Sequence, residues 1–140
     1  RLKKLIRRVR YDLSHKSEKN INESEKYIKN QFNNFITANK ADSIIVISKP
    51  EIMYCCASNK KTYIYIEEGC YECRYTLEQL EIMLNPYLFR CHRAYLVNLN
   101  YVRELAPMFN QTYIIRLKNS RAEIPVSRNY ASKIKQLLNA

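Results

Sequence analysis

Residues 41–140 read as a mainly β domain with short helices, and three observations predict it. From Ser43 onward the apolar residues come in short runs rich in Ile, Val and Tyr, each bounded by polar or turn-forming residues. Helical spacing in this part is brief, confined to 77–84 and to the residues after Ser127. Before residue 41 the period differs, because apolar side chains recur there every third or fourth position.

Taken in order, Leu2, Leu5, Ile6, Val9 and Leu13 fall on one face of a helix whose other face carries Lys and Arg. A polar stretch at 16–20 interrupts it. Asn22, with Glu25 three residues on, has the pattern of an N-cap and capping box. Ile28, Phe32, Phe35 and Ile36 then supply a second apolar stripe that ends near Asn39, so a basic helical linker is expected over 1–40. The β pattern starts at 44–47, is punctuated by Pro50 and resumes at 52–56, and 57–61 (Ala-Ser-Asn-Lys-Lys) reads as a polar loop. Strands over 63–67 and 70–75 flank Glu68-Gly69, which holds the chain's only glycine and is the expected hairpin turn. Thr76 suits the N-cap of a short helix over 77–84, with Leu77, Leu80 and Leu84 inward and Asn85-Pro86 ending it. Strands follow at 88–98, 101–105, 113–117 and 123–126, with a turn at Asn119-Ser120. Ser127 is positioned to cap a terminal helix whose apolar residues are Ile134, Leu137 and Leu138.

With 140 residues and 46% hydrophobic content, the chain has the material for one domain with a real core. Lys and Arg number 24 against 13 Asp and Glu, a formal net charge of +11. Residues 1–40 hold 11 basic and 4 acidic side chains, and the rest holds 13 and 9. Such an excess favours polyanions, either nucleic acid or an anionic membrane surface. The basic helix therefore leaves a second reading open, a non-enzymatic module that docks on a membrane or a protein through 2–13. No apolar run reaches about 18 residues, so no membrane-spanning helix is expected. Neither an initiator Met nor a signal peptide precedes Arg1, which reads as a chain beginning partway into a longer protein.

Five cysteines, an odd count without a signal peptide, suit reduced thiols in a cytoplasmic protein. Cys70-Tyr-Glu-Cys73 and Cys55-Cys56 could be drawn as a four-thiolate zinc site. Adjacent residues on a strand point to opposite faces, however, so Cys55 and Cys56 do not easily aim at one ion. Small core residues are the better reading, and no metal or cofactor is expected. The chain also lacks paired carboxylates, a Gly-rich phosphate loop and metal-spaced histidines, so it is not expected to be an enzyme. Of its 12 tyrosines, Tyr63, Tyr65, Tyr71, Tyr75 and Tyr95 lie in strands, where sheet packing is a better account than stacking on bases.

The stretch 88–98, L-F-R-C-H-R-A-Y-L-V-N, raises the sharpest question. On a continuous strand Phe89, Cys91, Tyr95 and Val97 share one face, and Arg93 falls on it. An unpaired guanidinium there would be heavily penalised. Either a carboxylate such as Glu104 or Glu123 pairs with Arg93, or the chain leaves the strand near His92 and carries Arg93 outward.

F-R-C-H-R-A-Y-L-V-N-L-N (89–100), I-P-V-S-R-N-Y (124–130) and a closing helix, with R-Y-T-L-E-Q-L (74–80) before them, resemble the LytTR family of bacterial DNA-binding domains. The resemblance covers about 42–140, and the helix over 1–13 resembles the last helix of a receiver domain in a response regulator. It implies elongated antiparallel β-sheets that present loops to successive major grooves of double-stranded DNA. It further implies base-reading roles for Lys61, Arg93 and Arg128. This chain has Lys61 where other members can carry His, and Arg93 where some carry Asn, so a relative's base preference does not transfer. The chemistry agrees, since Arg is the best single reader of guanine O6 and N7, and Arg128 opposes a helix dipole. Asn59, Lys60, Arg90, His92, Ser127, Asn129 and Lys133 are the candidate backbone contacts. The family pattern can include a partner cysteine for Cys91, but 121–126 offers none here, so an intramolecular redox switch is not expected. The expected function is sequence-specific transcription regulation by the output half of a response regulator. Binding would use direct repeats, with a dimer formed on DNA or through a receiver domain missing from this chain.

Overall fold

Strand structure begins earlier than the pattern predicts. The computed structural model describes residues 34–140, and within them Phe35–Lys40 is a strand, β1, rather than the end of a helix. A short run of Phe, Ile and Thr satisfies helical and strand spacing alike, and pairing with a neighbouring strand decides it. Here Asn39 pairs with Glu72. The remainder of the expected linker, the receiver-helix resemblance and the docking alternative built on 2–13 lie outside the described residues.

Ala41, at φ 51°, turns the chain into β2 (Ser43–Ser48). With β3 (Tyr54–Ser58), β4 (Lys61–Ile66), β5 (Gly69–Cys73), β6 (Leu88–His92) and β7 (Tyr95–Asn98) these form a seven-stranded sheet in the order β2-β1-β5-β4-β3-β7-β6. A second, three-stranded antiparallel sheet holds β8 (Val102–Pro107), β9 (Tyr113–Leu117) and β10 (Glu123–Val126) in the order β10-β9-β8. Two helices complete the described residues, α1 (Leu77–Met83) and α2 (Arg128–Leu137). The fold is mainly β with short helices, as the sequence predicts.

Met53, just before β3, and Cys91 and Val97 from the first sheet pack with Ile115, Leu117, Ile124 and Val126 from the second, and Ala131 and Ile134 of α2 close that core. Each fully buried Ile or Val contributes about 1.5–3 kcal/mol. Thr76 caps α1 with a full capping box: Gln79 N–H donates to Thr76 Oγ1 (3.1 Å) and Thr76 N–H to Gln79 Oε1 (2.9 Å). Leu77, Leu80 and Leu84 are buried, and α1 lies against β3, β6 and β7. The fully buried Asn98 donates to the Pro50 and Ile52 carbonyls at 3.2 and 2.9 Å, tying the end of β7 to the entry of β3.

Three local expectations need correction. The polar loop shrinks to Asn59-Lys60, because Ala57 and Ser58 belong to β3 and Lys61 to β4. The next hairpin turns at Glu67-Glu68, and Gly69 pairs with Ile66 outside the left-handed region. A Cβ at Gly69 would meet only Tyr71 ring atoms at ordinary contact, so neither backbone nor space requires the glycine. Ser127 is the N-cap residue of α2, but its hydroxyl makes no cap bond. Of the apolar residues of α2, Ile134 is buried and Leu137 exposed. The strand tyrosines do pack on the sheet: Tyr54 stacks on Tyr65 with ring centres 4.2 Å apart and on Tyr95 at 6.4 Å.

Candidate nucleic-acid interface

The parity problem at Arg93 is resolved by a bulge and a turn. Register slips between Arg90 and His92, where Cys91 is the extra residue, and His92 pairs directly with Tyr95. The chain thus leaves the strand after His92, and the two-residue turn Arg93-Ala94 carries Arg93 into solvent. Glu104 and Glu123 are engaged elsewhere, with Arg116 at 3.1 and 3.3 Å. Among the described residues no carboxylate pairs with Arg93 or with the exposed Arg128.

Side chains hold this turn in shape. The Ala94 N–H donates to His92 Nδ1 at 3.0 Å. Arg90 donates through Nε to the His92 carbonyl (2.9 Å), through Nη2 to the Arg93 carbonyl, and through Nη1 to Glu81 Oε1 (2.7 Å). As an acceptor Nδ1 must be unprotonated, and the protonation equilibrium agrees. Burial, then the neighbouring Arg93 and Arg90 charges, lower the His92 pKa from its usual 6.5. Neutral His92 therefore carries its proton on Nε2. Its ring stands edge-on to Tyr95 at 5.6 Å.

Two backbone hydrogen bonds bring three segments together. Ala57 N–H donates to the Ala94 carbonyl at 2.9 Å, setting the Asn59-Lys60 turn beside Arg93-Ala94. Ser127 N–H donates to the Cys91 carbonyl at 3.0 Å, setting the first turn of α2 beside the bulge. A bulged residue is left out of the strand ladder, and here that carbonyl receives the helix start. Asn59, Lys60, Arg93, Ser127 and Arg128 thus lie on adjoining turns. Asn129 and Lys133 are exposed one helical turn apart along α2, leading away from the bulge. Lys61 is exposed on β4, with its ammonium 3.9 Å from Glu72. Arg90 is the exception among the candidates: its side chain is 11% exposed and its donors are taken by protein acceptors.

Sequence reasoning missed Glu81. Glu78 and Glu81 share one face of α1 at a spacing of three, and both approach Arg90, Glu78 at 3.7 Å. No linear pattern signals that pairing, because it depends on how α1 folds back over β6. Cys91 itself is fully buried, and burial pushes its thiol up to about 12, so it is a core residue and not a reactive thiolate. All five cysteines are free, and only Cys70 is exposed. Among the described residues no helix is long and apolar enough to cross a membrane.

A family model, the LytTr DNA-binding domain, matches residues 42–139. The chain is 39% identical over 108 residues to the transcriptional regulatory protein YpdB of Escherichia coli K12, covering 76% of this chain and 44% of that protein. To the sensory transduction protein LytT of Bacillus subtilis it is 33% identical over 99 residues, covering 70% and 41%. It therefore spans less than half the length of these curated relatives. A solved LytTr DNA-binding domain from Bacillus cereus is 31% identical with a TM-score of 0.71, across 76% of this chain and 98% of that one. The match across 42–139 and the likeness to the solved domain meet in one conclusion: this chain belongs to the LytTR family of DNA-binding domains.

Proposed function

We propose that this domain is the output part of a response regulator and reads double-stranded DNA sequence-specifically through its three adjoining turns. The observation that supports this most is the pair of hydrogen bonds, Ala57 to Ala94 and Ser127 to Cys91, that join the turns bearing Asn59-Lys60, Arg93 and Arg128. Among the described residues neither arginine is in an ion pair, and a guanidinium fork matches guanine O6 and N7 in the major groove. Lys61 acts as a third base reader, because an exposed pair such as Lys61–Glu72 is worth only about 0–1 kcal/mol and gives way easily.

Asn59, Lys60, Asn129 and Lys133 contact phosphates and fix the register. His92 joins them through Nε2–H, its Nδ1 being occupied. Since the Ser127 hydroxyl makes no cap bond, Ser127 and the first amides of α2 have donors to offer a phosphate. The net charge of +11 adds sequence-independent attraction. The protein works in the cytoplasm as a transcription regulator without a catalytic step or cofactor, and two copies occupy direct repeats. The test is selection of bound duplexes from a random pool. One short motif should be recovered, repeated in the same orientation about one helical turn, or a multiple of it, apart. Strong, salt-sensitive binding with no enriched motif would contradict the reading.

A further inference from the structure

We infer that Arg90, anchored by Glu81 of α1, is a positioning residue that sets the pose of Arg93 toward a base, and is not itself a DNA contact. This rests on the proposed base-reading role of Arg93. A two-residue turn without left-handed residues lacks the twist that matches its strands and gains from contacts made outside its own backbone, and Arg93-Ala94 is such a turn. Arg90 supplies them. One planar guanidinium bridges the carbonyls on both sides of the Arg93 α-carbon, those of His92 and Arg93, and so fixes the two peptide planes that aim the side chain. Its remaining edge is held by Glu81 at 2.7 Å, with Glu78 behind at 3.7 Å. The capped helix α1 thereby becomes the support of a turn that follows it in the chain.

This also gives the two carboxylates a role. Placed near a polyanion, Glu78 and Glu81 oppose binding, and removing either should strengthen attraction to any duplex if it did nothing else. The clamp reverses that sign for specific DNA alone.

The decisive variant is Glu81→Ala in this chain, with binding measured on the selected motif and on random duplex. The ratio of specific to random affinity should fall by about tenfold, the size of one misplaced bidentate contact, while random-duplex binding stays level or rises. In an Arg93→Ala background the same change should have no further effect on the ratio, because the two act as a unit. Arg90→Lys, which keeps the charge and loses the fork, should repeat the loss. A ratio unchanged by Glu81→Ala, in a protein where Arg93→Ala does lower it, overturns the inference and leaves base reading intact. If Arg93→Ala leaves the ratio unchanged, base reading fails, and backbone relaxation of the Arg93 amide decides the clamp: faster motion in Glu81→Ala supports it, and unchanged order overturns it.

Discussion

The two neighbouring hairpin turns at this surface are built in opposite ways. Asn59-Lys60 closes by its own backbone, with φ of 52° and 65° at the two central residues, the left-handed pair that suits the twist of a tight hairpin. Arg93-Ala94 has no left-handed residue and, beyond the His92–Tyr95 backbone pairing, is braced by side chains: His92 on the Ala94 amide, Arg90 on two carbonyls, Glu81 behind Arg90. A single hydrogen bond, Ala57 to Ala94, joins them. A turn closed by backbone is autonomous, and its side chains are free to vary. One braced by side chains depends on residues elsewhere in the fold, so its shape can be changed without unfolding anything.

The largest difference between them should appear on truncation. Arg90→Ala leaves Glu81 and two turn carbonyls without their donor and should cost about 1–3 kcal/mol of fold stability. Lys60→Ala removes an exposed side chain and should stay within about 0.5 kcal/mol. Urea midpoints at constant m-value check both, and equal losses would erase the distinction.

Glycine at corresponding positions should act with opposite sign. Lys60→Gly relieves a left-handed non-glycine residue and should stabilise by up to about 1 kcal/mol. Ala94→Gly only adds freedom to the unfolded chain and should destabilise by about 0.4–1 kcal/mol. Thermal melts of the two variants suffice. A stabilising Ala94→Gly would mean that this turn is strained after all.

A smaller effect follows from pH, confined to the side-chain-braced turn. His92 has a lowered pKa, so the unfolded chain binds the proton more readily. Its contribution is complete above about 6.5 and is lost as pH falls through the folded value, when Nδ1 becomes a donor and releases the Ala94 amide. Acidification from above about pH 6.5 down through the folded His92 value should lower the ratio of specific to random DNA binding without weakening random binding, since positive charge increases. The ratio in His92→Ala should not move with pH over that range.

The same contrast governs what the sequence could show. β9 and β10 were legible to the residue, because 113–117 and 123–126 are short β-rich runs between turn residues. Thr76 announces the start of α1 as its N-cap, and the Gln79 half of the capping box is seen only in the structure. The Asn59-Lys60 turn was visible as polar punctuation, though drawn too long. By contrast β1 was misread as helix, because Phe35 and Ile36 fit two periods until a partner strand chooses one. In the sequence Arg90 reads as one of the candidate backbone contacts. Its cross-strand partner Leu96 is fully buried, and that face is covered by α1, a fact of tertiary packing that no spacing records. Arg93 was legible as an anomaly, and its escape from the strand by bulge and turn was one of two outcomes the pattern allowed.

The central claim is that Arg93 reads a base through its fork, and Arg93→Lys tests it most directly because the charge is kept. Affinity of this variant for the selected motif and for random duplex should be compared with the parent and with Arg93→Ala, at matched salt and with unchanged melting temperature. The account predicts that Lys behaves like Ala on the motif, each losing about 1–3 kcal/mol, while random-duplex binding is nearly unchanged in the Lys variant. Motif affinity retained by Arg93→Lys, or an equal loss on both duplexes in Arg93→Ala, would make Arg93 a phosphate contact and contradict the account.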